Sequence, residues 1–123
     1  TCYDVRFPGL FTRLARSGAA AILLPASWAP GEEKLHQWRT LVTARAMDAT
    51  TYVIAVDQAR PPASDGPTPT GIGHSMVVGP TGTVLLELGD DPELAVVDLD
   101  LDGVAGVRER LPVLRHARDL SAQ

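Results

Sequence analysis

Hydrophobic residues recur at two different spacings along this chain, and the two spacings predict helices and strands. After Pro8, which suits the first turn of a helix, apolar residues recur at helical spacing until Ser17-Gly18 ends the pattern. A second helical pattern runs from about Glu32 to Ala49. Two continuous apolar runs, residues 19–24 and 52–56, are typical of strands that are buried on both faces.

The remainder of the chain predicts a loop, a hairpin, a further strand and a short helix. Residues 57–73 are rich in proline and glycine, which favours a surface loop. Residues 74–88 form two apolar stretches around Pro80-Thr81-Gly82, a sequence typical of a β-hairpin turn. The run LAVVDLD, residues 94–100, predicts a strand, and apolar residues between Val104 and Leu111 predict a helix.

The order of these elements is helix, strand, helix, strand, hairpin, strand and helix. This order predicts an α/β (α+β) fold with a mixed sheet. Arg45 lies on the apolar face of the second helix, where a buried guanidinium needs a carboxylate partner. Asp48 offers one at the i+3 position, so we expect a structural ion pair between the two side chains.

Composition narrows the possible functions. The chain has 123 residues, of which 45% are hydrophobic, enough for one compact domain or part of a larger one. Its net charge of −4 shows no basic footprint, which argues against a nucleic-acid partner. No apolar run reaches the roughly 20 residues that span a bilayer, so no membrane is expected. With one cysteine there is no internal disulfide, and the expected compartment is the cytoplasm.

Cys2, the only cysteine, is the first candidate for chemistry. It stands just ahead of a predicted helix, whose positive end favours the nucleophilic thiolate. The alternative is that Cys2 is a small buried hydrophobic residue, which is the commoner role of a lone cysteine. The histidines do not form a spaced ligand set with Cys2, so we expect no metal site and no cofactor.

The run CYDVRFP, from Cys2 to Pro8, resembles the nucleophile motif of the nitrilase superfamily of carbon–nitrogen hydrolases. Four further stretches are similar to that family in the same order, namely AAAILLPASW, HQWRTLVTARAMDATTYVIAVDQ, GHSMVVGPTGTVLLELGD and VVDLDLDGVAGVRERLPVLRHARDL. Gly9, Asp48-Ala49 and Gly79 depart from residues that are frequent in the family. These departures concern the substrate rather than the class of reaction.

The resemblance implies a fold and a nucleophile. Residues 1–123 are similar to the C-terminal portion of one carbon–nitrogen hydrolase domain, without its N-terminal portion. The implied fold is half of a four-layer α-β-β-α sandwich, with helices on one face of the sheet. The family uses a Glu-Lys-Cys triad, in which Cys2 corresponds to the nucleophile and the Glu and Lys precede it. The cluster at residues 32–34 follows the nucleophile and is not assigned to the triad.

The resemblance also implies roles for residues near Cys2. The backbone N–H of Tyr3 would hold the oxyanion, and Trp28 with Ala26 would form the wall of the acyl pocket. A core or rim position for Trp28 is the alternative. Arg6 would pair with a carboxylate of the missing portion, or with Asp4 in a local salt bridge that holds the turn. His74-Ser75 lies near the pocket mouth in the family, or is an ordinary start of a strand.

The implied activity is hydrolysis of a small linear amide, closest to the omega-amidase and deaminated-glutathione amidase branch, with release of ammonia and a carboxylic acid. A carbamoylase or an N-acyltransferase is the alternative enzyme. A third possibility is an inactive half-domain or binding module, because the chain itself lacks the upstream Glu and Lys. Apolar residues in the tail, at 111–120, predict a contact in a homodimer or larger homo-oligomer, unless the tail folds back on its own subunit.

Overall fold

The computed structural model describes residues 1–61 and 70–118 of the chain. Its elements, in chain order, are a 3-10 helix at Cys2–Arg6, α1 at Pro8–Arg16, β1 at Ala21–Ala26, α2 at Lys34–Ala49, β2 at Tyr52–Asp57, β3 at Met76–Val78, β4 at Val84–Glu87, α3 at Gly103–Arg110 and α4 at Val113–His116. This order confirms the predicted α/β class. Among these described helices, none has the length and apolar character needed to cross a membrane.

Within the described residues, four strands form one mixed sheet in the order β1-β2-β3-β4. Strands β1 and β2 are parallel, with Ala21 opposite Tyr52 and Ala26 opposite Asp57. The other two pairs are antiparallel, and β3 with β4 forms the predicted hairpin. Because β1 and β2 are parallel, their carboxyl ends lie at one edge of the sheet, where open α/β sheets build their binding sites.

The helices α1 and α2 pack together, and α2 packs on β2 and β3. The core between helices and sheet contains Phe11, Ala15, Ile22, Leu24, Trp38, Val42, Ala46, Ala49, Val53, Ala55, Met76 and Val78. Trp38 is fully buried, and its Nε1 donates a hydrogen bond to the carbonyl of His74 at 2.9 Å. Arg45 pairs with Asp48 at 2.9 Å, which confirms the predicted ion pair.

The two apolar strands are each buried on one face, which corrects the prediction of burial on both. In β1, Ile22 and Leu24 are buried but Leu23 is 72% exposed, and in β2 Val56 is 53% exposed. The reason is that the helices cover one face, while successive side chains of a strand point to opposite faces. An uncovered apolar face is the arrangement expected for one half of a layered sandwich.

Residues 94–100 form no strand in the described part of the chain, although their sequence predicts one. Leu94 and Val96 are 92% and 88% exposed, whereas Val97 and Leu99 are partly buried. A cavity of about 210 Å³ separates this segment from the open face of the sheet, lined by Ile54, Val77, Leu86, Ala95, Val97 and Leu99. A strand needs a hydrogen-bonded neighbour, and no described segment supplies one here.

Several predicted boundaries shift by a few residues. Helix α2 begins at Lys34 rather than Glu32, because Glu33 adopts a left-handed conformation with φ of 61°. Asp57 belongs to β2 rather than to the predicted loop, of which residues 62–69 lie outside the described residues. The end of the predicted contact segment, Asp119-Leu120, also lies outside them.

The uncovered face of the sheet predicts that the 123-residue chain aggregates when it is isolated. Leu23 and Val56 lie on a sheet face that no described helix covers, and contiguous exposed apolar patches promote association. We expect the isolated chain to aggregate, as measured by light scattering during purification. A monodisperse monomer with a sharp and reversible thermal transition would show that this face needs no cover.

Candidate active site

Cys2 lies at the first position of the 3-10 helix and not directly before α1, which corrects its predicted place. The helix is closed by hydrogen bonds from the N–H of Asp4 to the carbonyl of Thr1 and from the N–H of Phe7 to the carbonyl of Asp4, both 2.9 Å. Phe7 is extended, with φ of −113° and ψ of 93°. The cause is Pro8, since a residue that precedes proline avoids the helical region. The positive end of α1 is therefore separated from the thiol by the 3-10 helix.

The 3-10 helix packs against β1 and α2, and Cys2 packs partly buried against the core. The fully buried residue of the 3-10 helix is Val5, whose carbonyl accepts a hydrogen bond from Nη1 of Arg45 at 3.0 Å. Arg45 thus joins the C-terminal half of α2 to the 3-10 helix that carries the thiol. Cys2 consequently lies on a segment that the buried guanidinium of Arg45 holds in place, and Cys2 itself is partly exposed to solvent.

The backbone N–H of Tyr3 makes no hydrogen bond within the described ranges 1–61 and 70–118. It lies ahead of Asp4, the first residue whose N–H bonds inside the helix. An unused N–H at the start of a helix is available to a negatively charged oxygen. The Tyr3 ring itself is 65% exposed and meets the ring of Phe7 edge to face, with centroids 5.5 Å apart.

Asp4 and Arg6 do not pair with one another, so the expected local salt bridge is wrong. The carboxylate of Asp4 accepts a hydrogen bond from the hydroxyl of Thr1 at 3.3 Å. Nη2 of Arg6 donates to Oε1 of Gln37 at 2.8 Å. The physical reason is geometric, because a 3-10 helix has three residues per turn and side chains two apart point in different directions.

Trp28 lies next to the segment that carries the thiol. Its ring is 3% exposed, and the guanidinium of Arg6 stands over it at 5.0 Å from the centroid. The ammonium of Lys34 lies 5.3 Å from the same ring, and Trp38 is 5.4 Å away, centroid to centroid. The indole Nε1 donates to the carbonyl of Lys34 at 2.9 Å. Ala26, predicted beside Trp28, is the partly buried last residue of β1.

Asp57 is a buried carboxylate at this edge that the sequence reasoning did not single out. Its side chain is 5% exposed, and Oδ1 accepts a hydrogen bond from the backbone N–H of Trp28 at 2.6 Å. Oδ2 accepts from the N–H of Ile72 at 2.9 Å. An acidic residue directly after the apolar run at 52–56 was the signal that could have revealed it, since buried carboxylates are held by hydrogen bonds.

Burial raises the pKa of Asp57 above its ordinary value of 3.8, and the hydrogen bonds from backbone N–H groups oppose this only in part. The native state then holds the proton more tightly than the unfolded chain. The contribution of Asp57 to stability therefore falls as pH rises from about 3.8 toward the raised pKa, by at most about 1.4 kcal/mol per pH unit.

We expect the free energy of unfolding of the complete protein, measured in urea across this pH window, to fall relative to that of Asp57→Asn as pH rises. Curves that stay parallel at every pH would mean that Asp57 does not titrate differently in the two states.

The other candidate residues make contacts of their own, and none of the hydrogen bonds or ion pairs among the described residues joins them to Cys2. Glu32 and Glu33 are exposed, and Lys34 faces the Trp28 ring. His74 precedes β3 with a left-handed φ of 54°, and its Nδ1 lies 3.1 Å from Oε1 of Glu87.

Comparison with known proteins decides the family. The profile described as "Carbon-nitrogen hydrolase" matches residues 1–109. The chain belongs to the carbon–nitrogen hydrolase family. A hydrolase of Mycobacterium tuberculosis is 46% identical over 96% of this chain and 44% of its own length. The deaminated glutathione amidase of Escherichia coli O157:H7 is 36% identical over 96% of this chain and 42% of its own length.

Solved structures agree with this membership. Nit3 of Saccharomyces cerevisiae, a member of branch 10 of the nitrilase superfamily, superimposes with a TM-score of 0.82 at 34% identity, covering 96% of this chain and 42% of Nit3. A mutant of the amidase from Nesterenkonia sp. AN1, which shows the result of Michael addition of acrylamide at the active site cysteine, superimposes with a TM-score of 0.69 at 34% identity, covering 90% of this chain and 41% of the amidase. The chain spans less than half the length of these relatives.

Proposed function

We propose that the complete protein hydrolyses a small linear amide through a thioester on Cys2. The observation that carries this proposal is the match of the carbon–nitrogen hydrolase family over residues 1–109, a stretch that contains a single cysteine. A mutant of the Nesterenkonia amidase shows Michael addition of acrylamide at its active site cysteine, and this nucleophilic reaction of a cysteine supports the role of nucleophile for Cys2.

In the proposed reaction the thiol of Cys2 loses its proton to a carboxylate base, and its sulfur attacks the amide carbon. The negative charge that develops on the carbonyl oxygen is stabilised by the unused N–H of Tyr3. The carbon–nitrogen bond breaks, and ammonia leaves with a proton from the acid form of the base. Water then hydrolyses the thioester, which releases the carboxylic acid and restores the thiol.

The base and a lysine come from the Glu-Lys-Cys triad that the resemblance implies, and both precede the nucleophile. Glu32, Glu33 and Lys34 are not proposed for these roles, because they follow β1 and Lys34 faces the ring of Trp28. Arg6 is proposed as a supporting residue that holds the turn through Gln37 and the Trp28 ring. Asp4 supports the same turn, because its carboxylate accepts a hydrogen bond from the hydroxyl of Thr1, the residue before the 3-10 helix.

The proposed substrate is an omega-amide of a small carboxylic acid. Several relatives bear the name deaminated glutathione amidase, which supports an amide as the substrate. Trp28 and Ala26 are proposed as the wall of the acyl pocket. Their place at the carboxyl end of β1, beside the segment that carries Cys2, supports this assignment.

The test is to incubate the complete protein with small linear amides and measure ammonia release, then to search for an acyl adduct on the Cys2 peptide by mass spectrometry. We expect stoichiometric acylation and steady release of ammonia. Transfer of the acyl group to added amines in preference to water would favour an N-acyltransferase, and turnover of carbamoyl compounds alone would favour a carbamoylase. Absence of any adduct and any turnover would favour a binding module.

We also propose that the complete protein is at least a homodimer and that the segment from residue 111 contributes to the contact. Leu111 and Val113 are 49% and 41% exposed, which leaves two apolar side chains to cover. The segment folds back in part, because Leu114 packs against the core and its carbonyl accepts a hydrogen bond from Nη2 of Arg16 at 3.3 Å.

Deleting the complete protein from Pro112 onward is therefore expected to lower its mass in solution to that of a smaller assembly. The measurement is light scattering coupled to size exclusion. An Arg118→Ala variant, altered at an exposed position of the same segment, is the control for a small change that leaves the apolar residues in place. If the shortened protein keeps its oligomeric state and its stability, the segment is no interface element.

A further inference from the structure

Asp57 holds together three segments at the edge of the sheet where Trp28 lies. Its two carboxylate oxygens each accept one backbone hydrogen bond, from Trp28 at 2.6 Å and from Ile72 at 2.9 Å. Its own N–H donates to Oγ of Ser75 at 3.0 Å, and the Ser75 hydroxyl lies 3.2 Å from the carbonyl of Asp57. One residue thus fixes the segment after β1, the segment that contains Ile72, and the residue before β3.

We propose that Asp57 is a positioning residue that fixes Trp28 as a wall of the acyl pocket and thereby sets the affinity for the amide. The inference rests on the proposed amidase function and adds to it a residue that does not touch the substrate. It acts through the backbone of Trp28, whose N–H it binds directly.

Trp28 is placed to pass on such an effect because its ring lies beside the segment that carries the thiol. The guanidinium of Arg6, in the same 3-10 helix as Cys2, stands 5.0 Å from the ring centroid. The indole N–H is tied to the carbonyl of Lys34 at 2.9 Å. The side chain is therefore anchored at the ring, and Asp57 anchors the backbone end of the same residue.

A carboxylate is suited to this role because both of its oxygens accept hydrogen bonds. In Asp57→Asn, one oxygen is replaced by an NH₂ group, which faces an N–H donor of Trp28 or Ile72. That donor is left unpaired in a buried position, and the segment must move to find another acceptor. The volume of the side chain hardly changes, so the variant removes the second acceptor and the negative charge without opening a cavity.

The experiment compares the complete protein with its Asp57→Asn variant, using butyramide as the probe and active sites counted by alkylation of Cys2 with iodoacetamide. We expect KM to rise about 5- to 10-fold while kcat per active site changes less than about twofold, since the loss concerns binding rather than chemistry. Glu109→Gln is the matched control, because it also removes one carboxylate, at an exposed position of α3, and it should leave KM unchanged.

A structural role alone would reduce the number of active sites and leave KM unchanged, and that result would overturn the proposal. An unchanged KM with full active sites would overturn it as well. A readout that needs no turnover is iodide quenching of Trp28 fluorescence, isolated as the difference between each protein and its Trp28→Phe counterpart. We expect quenching of Trp28 to rise in Asp57→Asn. If the unchanged protein hydrolyses no amide, the proposed function fails, and the quenching still decides whether Asp57 positions Trp28.

Discussion

Cys2→Ala in the complete protein is expected to lower turnover of a small amide by about 10⁴- to 10⁶-fold, the usual effect of removing a catalytic nucleophile. The physical reason is that no thioester can form without the sulfur, so the two-step route is lost. The fold should persist, because Cys2 is partly buried at the start of a short helix whose fully buried residue is Val5. Ammonia release measures the first effect, and circular dichroism measures the second.

Cys2→Ser is the companion variant. It keeps the shape of the side chain but replaces the thiol with a hydroxyl, which ionises far less readily. We expect it to be nearly as inactive as Cys2→Ala. Rates close to those of the unchanged protein in Cys2→Ala would show that the thiol is not the nucleophile, and the amidase proposal would then be withdrawn together with the role of Tyr3.

The helices α1 and α2, the strands β1 and β2 and the hairpin were predictable from the sequence because they depend on local patterns. Apolar spacing marks the buried face of α2, and the glycine turn at Pro80-Thr81-Gly82 marks the hairpin. Residues 94–100 were not predictable by the same means. Their apolar pattern suits a strand, but a strand also requires a paired neighbour, which depends on the rest of the fold.

The candidate site divides in the same way. Cys2 and Trp28 could be named from the motif that surrounds each, and the Arg45 pair with Asp48 follows from helical spacing. The contacts of Arg6 and Asp57 could not be predicted from a motif or from helical spacing, because their partners are distant in sequence. Arg6 binds Gln37 rather than nearby Asp4, and Asp57 binds Trp28 across the sheet edge. The nearest opposite charge in the sequence did not predict the partner, because the partner was determined by tertiary packing.

The burial of Trp28 bears on whether its ring is a pocket wall or a core residue. Trp28 is 3% exposed and is surrounded by Trp38 and by the cations of Arg6 and Lys34. It therefore contributes to the stability of the core even if it also lines a pocket. Large aromatic side chains removed from such positions cost about 3–5 kcal/mol. The cation contacts add to that loss, because the two positive groups lose the ring that faces them.

Trp28→Ala in the complete protein is therefore expected to lower the free energy of unfolding by about 3–5 kcal/mol, as measured in urea. Trp28→Phe should cost only about 1 kcal/mol, since it keeps an aromatic ring and loses the hydrogen bond to the carbonyl of Lys34. Tyr3→Ala, which removes an aromatic ring that is 65% exposed, serves as the control and should change stability by less than about 0.5 kcal/mol. The Phe variant separates the two roles because we expect it to fold. If Trp28→Phe changes KM relative to the unchanged protein, and by different factors for amides of different acyl length, Trp28 is a wall of the pocket. KM values equal to those of the unchanged protein would leave Trp28 as a core residue alone.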